Sequence, residues 1–302
     1  MAKGKGLMAE MRTVLALSPQ PLALQDAYFS ILLTLVCDKD LDPSALVTFD
    51  LVTIFPAMIR EPLAAGVLGR AIDCGTLDVR VHDLRDFTID RHRVVDDVPY
   101  GGGPGMVLKP DPIFRALDAI AAARGTPLTV ILTSPQGRRF TQSDAQRLSR
   151  LEHIVLLCGR YEGFDDRVRR RVTEELSIGD YILTGGELPA LVILDAVARY
   201  VPGVVGDEQS VVEDSFTRGL LDFPQFTRPA EVVVGDSDAV GSSTARVPDI
   251  LLSGNHAEIR RWRKREALSR TLERRPELLA DAALDDEERE LLRELQDGPM
   301  AE

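Results

Sequence analysis

Residues 127–163 read PLTVILTSPQGRRFTQSDAQRLSRLEHIVLLCGRYEG, and this stretch decides the fold. Two apolar, β-branched runs, 127–133 and 153–158, are each followed by a glycine-containing turn. The segment between them, 142–151, has the pattern of a helix. A strand, a helix and a second strand in this order predict two parallel strands joined by a crossover helix.

The same alternation continues on both sides of that stretch. Further strands are predicted at 49–55 and 77–81, and further helices at 58–71, 111–124 and 188–201. Strands that alternate with helices indicate an α/β fold, a parallel sheet wrapped by helices. A polar stretch follows Pro202 and Gly203 and is typical of an interdomain linker.

Four segments are therefore predicted along the chain. Residues 1–46 are a leader whose one apolar stretch is flanked by Asp26 and Asp38, without the cleavage site of a secretory signal. Residues 47–205 form the α/β domain, 206–220 the linker, and 221–302 a small, mostly helical C-terminal domain. No apolar run approaches the roughly 18 residues of a membrane-spanning helix, so we expect a cytoplasmic protein without a membrane partner.

Charge is distributed unevenly along these 302 residues. The formal net charge is −12, which argues against a protein that is basic all over. Arginines nevertheless cluster at 160–171 and 260–275, and a local basic surface is what nucleic-acid binding requires. Each cluster alone also fits a solvated, salt-bridged helix face. The three cysteines lie far apart and the four histidines are scattered, so no metal site is predicted from them.

Glycine-containing loops follow three successive predicted elements, at 134–137, 159–163 and 178–189. A glycine after a strand is usually only a turn. Ligands of open α/β sheets bind beyond the carboxyl ends of the strands, however, and three such loops together favour a ligand site. None of them fits G-x-G-x-x-G, which argues against a standard dinucleotide site, and none fits G-x-x-x-x-G-K-[ST], which excludes a P-loop.

A fourth glycine cluster, 99–106, ends a long polar segment that begins at Asp83. So many polar and glycine residues predict a long surface loop, and long ordered loops tend to be functional. Its arginines and His92 suit contacts to phosphate, and Tyr100 offers a face on which a base can stack.

The motifs along the chain resemble those of one family, the bacterial tRNA (guanine-N1)-methyltransferases, or TrmD family. The shared phrases are RDFT (85–88), DRH (90–92), PYGGGPGM (99–106), SPQG (134–137), CGRYEG (158–163), SIGDY (177–181), GGELPA (185–190), EDSF (213–216) and LLSGNHAEIRRWR (251–263). The resemblance runs from about Val47 to Leu279. The leader has no family counterpart, so we expect translation to begin at position 47.

The resemblance implies a deep-trefoil-knotted methyltransferase of the SPOUT class that acts as a homodimer with shared active sites. The family transfers a methyl group from S-adenosyl-L-methionine to N1 of guanosine 37 in tRNA. By this resemblance the cofactor lies among the three loops. The implied cofactor residues are Thr133, Ser134, Pro135, Gly159, Tyr161, Glu162, Ile178, Tyr181, Leu183, Gly185, Gly186 and Pro189.

The resemblance also implies a general base at Asp214 and an arginine, Arg199, that stabilises charge on O6. Guanine N1 carries a proton at neutral pH, so a carboxylate within hydrogen-bond reach suits this chemistry. Taken without the resemblance, Asp214 in a polar loop is better explained as a helix N-cap than as a general base. Some family members respond to magnesium, for which Glu162 or an acid near Asp214 is the candidate ligand.

Contacts to tRNA are expected from both predicted domains. The expected residues are Arg91, His92, Tyr100, Gly102, Asp222, Arg260, Arg261 and Arg263. Asn255 with Glu258 has the spacing of a capping box and predicts the start of the helix that carries the last three. Two other functions stay open on the sequence, a non-catalytic RNA-binding module and a ribose 2′-O-methyltransferase of the same superfamily.

Overall fold

The computed structural model of the chain describes residues 47–125, 127–206, 214–234 and 243–297. The predicted leader, 1–46, and residues 207–213 of the predicted linker lie outside these residues. The described chain divides into two units, 47–140 with 145–204, and 205–297 with the short segment 141–144. Each unit is described by itself below.

The first unit is built on a five-stranded, all-parallel sheet. Its strands are β1 (Thr48–Thr53), β2 (Asp78–Asp83), β5 (Thr129–Arg139), β6 (His153–Cys158) and β7 (Glu174–Ser177). They lie in the order β2-β1-β6-β5-β7 across the sheet. A short antiparallel pair, β3 (Asp96–Asp97) and β4 (Val107–Leu108), lies in the long loop after β2. The predicted α/β class with a parallel sheet is confirmed.

Helices connect these strands. They are α1 (Pro56–Leu63), α2 (Gly66–Asp73), α3 (Pro110–Arg124), α4 (Gln142–Leu148) and α5 (Glu187–Ala198), with 3₁₀ helices at Leu84–Phe87 and Asp166–Arg171. Every residue of β1 is buried, and β6 is buried from Ile154 onward, as expected for central parallel strands covered on both faces. The core is aliphatic and includes Val52, Leu117, Val130 and Leu157.

The central strand also carries a buried carboxylate. Asp50, in the middle of β1, has a side chain only 3% exposed. Its carboxylate is 2.6 Å from His82 Nε2 and accepts a 2.8 Å hydrogen bond from Arg124 Nε. Arg124 also pairs with Asp78, and the hydrogen bond from Arg124 lowers the pKa of the Asp78 carboxyl. The end of α3 is thereby tied to β1 and β2.

Two elements differ from the prediction. The helix expected over 58–71 is broken into α1 and α2, because Gly66 has a φ of +67°, which a right-handed helix does not accommodate. The loop expected at 134–137 is instead part of β5. Pairing of β5 with β7 shifts register between Thr133 and Arg138 and then resumes at Leu176, so these four residues bulge within one strand.

The second unit is helical, but it also contains a β-hairpin that was not predicted. Its helices are α6 (Asp249–Leu252), α7 (His256–Arg274) and α8 (Asp286–Asp297), with a 3₁₀ helix at Pro276–Ala280. Strands β8 (Glu231–Val234) and β9 (Ser243–Arg246) pair antiparallel, and their residues are exposed. A small apolar core forms where Leu220, Leu268 and Leu291 meet.

Candidate active site

A cavity of about 500 Å³ opens in the first unit, where β5, β6 and β7 reach their carboxyl ends. Three segments of chain line it: the bulge of β5, the turn after β6 and the long loop after β7. All twelve residues expected to bind the cofactor lie on its wall: Thr133, Ser134, Pro135, Gly159, Tyr161, Glu162, Ile178, Tyr181, Leu183, Gly185, Gly186 and Pro189. The structure therefore brings this whole set together around one space.

The turn after β6 (159–163) and the loop after β7 (178–189) contact each other through their backbones. Gly186 donates a 2.8 Å hydrogen bond to the Gly159 carbonyl, and Gly185 forms an antiparallel bridge with Arg160. A Cβ atom at Gly186 would fall 2.7 Å from the Gly159 nitrogen and closer still to Thr133 Oγ1. Only glycine permits this approach, so the floor of the cavity depends on its presence at position 186.

A fully buried carboxylate connects these two loops to the sheet. Glu187, the first residue of α5, has no exposed side-chain surface. Its Oε1 accepts a 2.7 Å hydrogen bond from Thr53 Oγ1 at the end of β1, and its Oε2 accepts a 2.9 Å hydrogen bond from Arg160 Nε. Arg160 in turn donates to the Thr184 carbonyl at 3.1 Å. One ion pair thus connects the central strand to both glycine loops.

Two further groups lie close to the Arg160–Glu187 ion pair, the Phe55 ring and the Cys158 thiol. The Arg160 guanidinium lies 4.5 Å from the centre of the Phe55 ring, within the range of a cation–π contact. Burial first, and then the negative charge of Glu187, raise the pKa of the neighbouring Cys158 thiol well above its ordinary value. Cys158 therefore stays a neutral, buried thiol rather than a nucleophile.

Sequence reasoning missed several residues of the site. Glu187 was not predicted as a site residue, although a glutamate immediately before the apolar run 188–194 is a signal that could have been followed. Asp165, Asp166 and Arg169 also line the cavity. Hydrogen bonding from Arg167 lowers the pKa of the Asp165 carboxyl, so this acid is ionised at neutral pH. No spacing rule links these acids to the three loops.

The glycine-rich loop 99–106 is anchored beside the same cavity. Glu162 donates its backbone N–H to the Met106 carbonyl at 3.0 Å, and Leu108 donates to the Gly163 carbonyl at 2.9 Å. The expected tRNA residues of this region, Arg91, His92, Tyr100 and Gly102, are all exposed, and Tyr100 is completely so. An aromatic ring without protein neighbours on either face is available for stacking.

A carboxylate shapes the turn that carries Arg91 and His92. Asp90 accepts hydrogen bonds from the backbone N–H groups of Val94 and His92. These bonds, with that from Val94 the strongest, lower the pKa of the Asp90 carboxyl. Hydrogen bonds between the Asp90 carboxylate and the backbone fix the turn. The side chains of Arg91 and His92 take no part in them and are exposed to solvent.

The two residues expected to catalyse belong to different units. Arg199 follows α5 in the first unit as its C-terminal cap and is partly exposed. Asp214 is a partly buried residue of the second unit, and Thr217 donates its backbone N–H to the Asp214 carbonyl at 3.3 Å. Asp222 lies further along, where its own side chain accepts from the Phe223 N–H at 2.7 Å.

The remaining expected tRNA residues lie on α7. Asn255 caps this helix, as predicted, through a 3.4 Å hydrogen bond from the Glu258 N–H to its side chain. Arg260 and Arg261 are exposed, and Arg261 pairs with Glu294 at 3.4 Å. Arg263 is half-buried, and its guanidinium lies 4.7 Å from the centre of the Phe223 ring.

The described residues form neither a metal site of the usual kind nor a membrane-spanning helix. Within 47–125, 127–206, 214–234 and 243–297, no group of three or more His, Cys, Asp and Glu side chains is arranged to hold a metal ion. None of the helices in that same part of the chain is both long and apolar enough to span a membrane.

Fold and cavity together define a class: an α/β protein with a small-molecule site built from loops at the carboxyl ends of a parallel sheet. Comparison with known proteins narrows this class. Residues 47–281 match the model of one family, described as tRNA (Guanine-1)-methyltransferase TrmD. The chain belongs to this family.

Three relatives match this chain over nearly their full length. The chain is 50% identical to the tRNA (guanine-N(1)-)-methyltransferase of Dictyoglomus turgidum over 250 residues, which cover 83% of this chain and 97% of that protein. It is 53% identical to the protein of the same name from Magnetococcus marinus over 248 residues, 82% and 95% of the two chains. The Geobacillus kaustophilus protein of that name is 49% identical over 247 residues, 81% and 96%.

Proposed function

We propose that the protein transfers a methyl group from S-adenosyl-L-methionine to N1 of guanosine 37 in tRNA. Family membership supports the reaction class, since the relatives are named tRNA (guanine-N1) methyltransferases. The observation that carries the proposal is the cavity of the first unit, whose wall contains all twelve residues expected for the methyl donor.

The cavity suits S-adenosylmethionine in size and in chemistry. Its volume of about 500 Å³ is within the usual range for small-molecule sites. Ile178, Leu183 and Pro189 provide apolar wall, while the close backbones of the glycine loops provide peptide donors and acceptors for a polar base edge. When bound, the cofactor supplies an electrophilic methyl group. The task of these residues is to hold it and to keep water from it.

Asp214 is proposed as the general base. Guanine N1 is not nucleophilic until its proton leaves, and an ionised carboxylate within hydrogen-bond reach accepts such a proton. Loss of that proton moves negative charge onto O6. A guanidinium stabilises that charge electrostatically, and we assign this role to Arg199. Magnesium is left out of the proposal, because neither Glu162 nor an acid near Asp214 belongs to a group of described side chains arranged to hold a metal ion.

The tRNA is proposed to contact both units. The exposed loop with Arg91, His92 and Tyr100 adjoins the cavity, and the positive charge of α7 is suited to phosphate. Two chains are proposed to form a homodimer in which the cofactor cavity of one protomer is completed by Asp214 of the other. A knotted path of the chain through the cofactor loops remains a prediction from the family.

The test is nucleoside analysis of tRNA incubated with the protein and S-adenosylmethionine. The proposal predicts N1-methylguanosine and no other methylated nucleoside above background. A 2′-O-methylated nucleoside would instead assign the protein to ribose methylation. Binding of tRNA without any methylated product would indicate a non-catalytic RNA-binding module. The Gly186→Val variant, whose cavity is blocked, is the control for contaminating activity.

A further inference from the structure

A second cavity, of about 550 Å³, lies wholly within the second unit, between the segment 223–230 and the first turns of α7. Its charge is one-sided. Arg228, Arg260, Arg263 and His256 line it, and none of the described lining residues is an acid. In a chain with a net charge of −12, a concave surface with three arginines and no acid is suited to an anionic ligand.

The arginines of this cavity have no acceptor for their guanidinium N–H groups within the described part of the chain. Within the described residues, Arg228, Arg260 and Arg263 form no ion pair or hydrogen bond through their guanidinium groups, and Nε of Arg263 is buried without a partner. Buried donors are nearly always satisfied, so an acceptor from outside the chain is expected at the cavity.

The cavity also has an aromatic component. Phe226 lines it and is 46% exposed, so one face of its ring is open to a ligand in the cavity. The centre of its ring lies 6.3 Å from that of Trp262, and Phe223 on the cavity wall supports the Arg263 guanidinium. Exposed aromatic rings interleaved with unpaired cations are typical of surfaces that bind single-stranded nucleic acid.

We propose that this cavity binds one unpaired nucleotide of the RNA substrate, distinct from the guanosine that is methylated. Its base stacks on Phe226, and Arg260 and Arg263 bind the adjacent phosphates. The inference rests on the proposed action on tRNA, and it adds a second nucleotide-binding site in the small unit. A ligand with a flat ring and a phosphate fits both the aromatic and the cationic part of the wall, which an acidic peptide does not.

The single tryptophan of the chain makes the site measurable. Trp262 is the only one in the sequence and lies beside Phe226, so its emission reports on the cavity. Three probes would be titrated into the full-length protein: a single-stranded RNA hexanucleotide, a fully paired RNA duplex, and heparin, a polyanion without bases. We expect the hexanucleotide to change the emission of Trp262 saturably. The duplex and heparin should leave it nearly unchanged.

Substitutions then separate stacking from charge. Phe226→Leu should weaken hexanucleotide and tRNA binding about tenfold without changing the salt dependence, whereas Phe226→Tyr, which keeps a flat ring, should bind normally. Arg260→Ala should lower the slope of log affinity against log salt by about one. Arg293→Ala removes an exposed arginine of α8 outside the cavity and is the matched control, expected to have no effect at this site.

Several results would contradict the proposed nucleotide site. An equal response to heparin would show a general anion patch and would overturn the proposal, as would unaltered binding by Phe226→Leu when its melting temperature is normal. No response to any RNA would point to a different ligand, such as a protein, and would also overturn it. Formation of N1-methylguanosine is measured separately. That product without a Trp262 response would refute only this inference, and a Trp262 response without the product would refute the proposed reaction.

Discussion

Asp214 has the most specific chemical role of any single residue in the proposed reaction. A general base acts in the transition state, so its removal slows proton transfer without emptying the cofactor cavity. Asp214→Ala should therefore lower the single-turnover rate of methyl transfer by about 10²–10⁴-fold, while the affinity for S-adenosylmethionine stays within a few-fold.

The measurement pairs rapid-quench single-turnover kinetics with calorimetric titration of the cofactor. Asp281→Ala removes an exposed acid of the second unit and should keep the normal rate. An Asp214→Ala protein that retained more than half of the normal rate would contradict the assignment of the base.

Glu187 is the second residue with a separable role. It is fully buried and joins Thr53 to Arg160, so Glu187→Gln leaves the shape nearly unchanged but removes the charge that Arg160 pairs with. Breaking a buried ion pair costs about 3–5 kcal/mol, and part of that cost falls on the loops that line the cavity. We expect the dissociation constant of S-adenosylmethionine to rise about tenfold or more.

The control for Glu187 is Asp118→Asn, which breaks the exposed pair between Asp118 and Arg171. Exposed pairs contribute only about 0–1 kcal/mol, so cofactor binding should not change. If Glu187→Gln bound the cofactor as tightly as the unaltered protein, the ion pair would have no role in positioning the loops.

At the scale of elements, Arg124 ties α3 to β1 and β2 through Asp50 and Asp78. The side chains of Arg124 and Asp50 are 5% and 3% exposed. Arg124→Met should leave the Asp50 carboxylate buried without this partner and lower the free energy of unfolding by about 3–5 kcal/mol. Arg171→Met, at an exposed pair, should change it by less than about 1 kcal/mol.

The ion pair between Arg124 and Asp78 predicts that the stability of the fold depends on pH. Hydrogen bonding from Arg124 lowers the pKa of Asp78 below its ordinary value of 3.8. An acid whose pKa is lowered by folding stabilises the native state above its ordinary pKa, and that stability is lost as the pH falls through the lowered value. Denaturant unfolding should therefore show stability falling below about pH 4. Arg124→Met should lose this part of the dependence, and an unchanged pH profile would contradict the pairing.

Local patterns predicted the sheet well where burial decides the structure. The run 153–158 is confirmed as β6, because a continuous β-branched apolar run has a stable place only in a covered parallel strand. The course of β5 beyond Thr133 was not predictable. Pro135 and Gly137 usually end a strand, and only renewed pairing with β7 at Leu176 continues this one.

The candidate site was predictable only where its residues carry a local sequence signal. The glycine loops have a local signal, and the cavity that they line forms where three of the strands end. The buried pair between Arg160 and Glu187 spans 27 residues of sequence and involves Thr53 at a distance of 134 residues. Nothing in local spacing reveals contacts of that range. The hairpin β8–β9 was missed because its strands are exposed and lack the alternating apolar pattern.

At the scale of the whole molecule, the proposed active site takes its parts from two chains. A protomer with Gly186→Val has a blocked cavity, and one with Asp214→Ala lacks the base, so either homodimer should be nearly inactive. After random exchange of chains, half of the dimers are mixed, and each has one intact site of two. Activity should recover to about a quarter of normal, with chain exchange verified by native mass spectrometry. No recovery would mean that cavity and base belong to the same chain.

The central claim is methyl transfer to N1 of guanosine 37, and one paired measurement tests it most directly. Two tRNA transcripts that differ only at position 37, guanosine in one and adenosine in the other, are incubated with the protein and methyl-labelled S-adenosylmethionine. We predict stoichiometric label in the guanosine transcript, recovered as N1-methylguanosine, and none in the adenosine transcript. Equal labelling of both transcripts, or label recovered in any other nucleoside, would contradict the account.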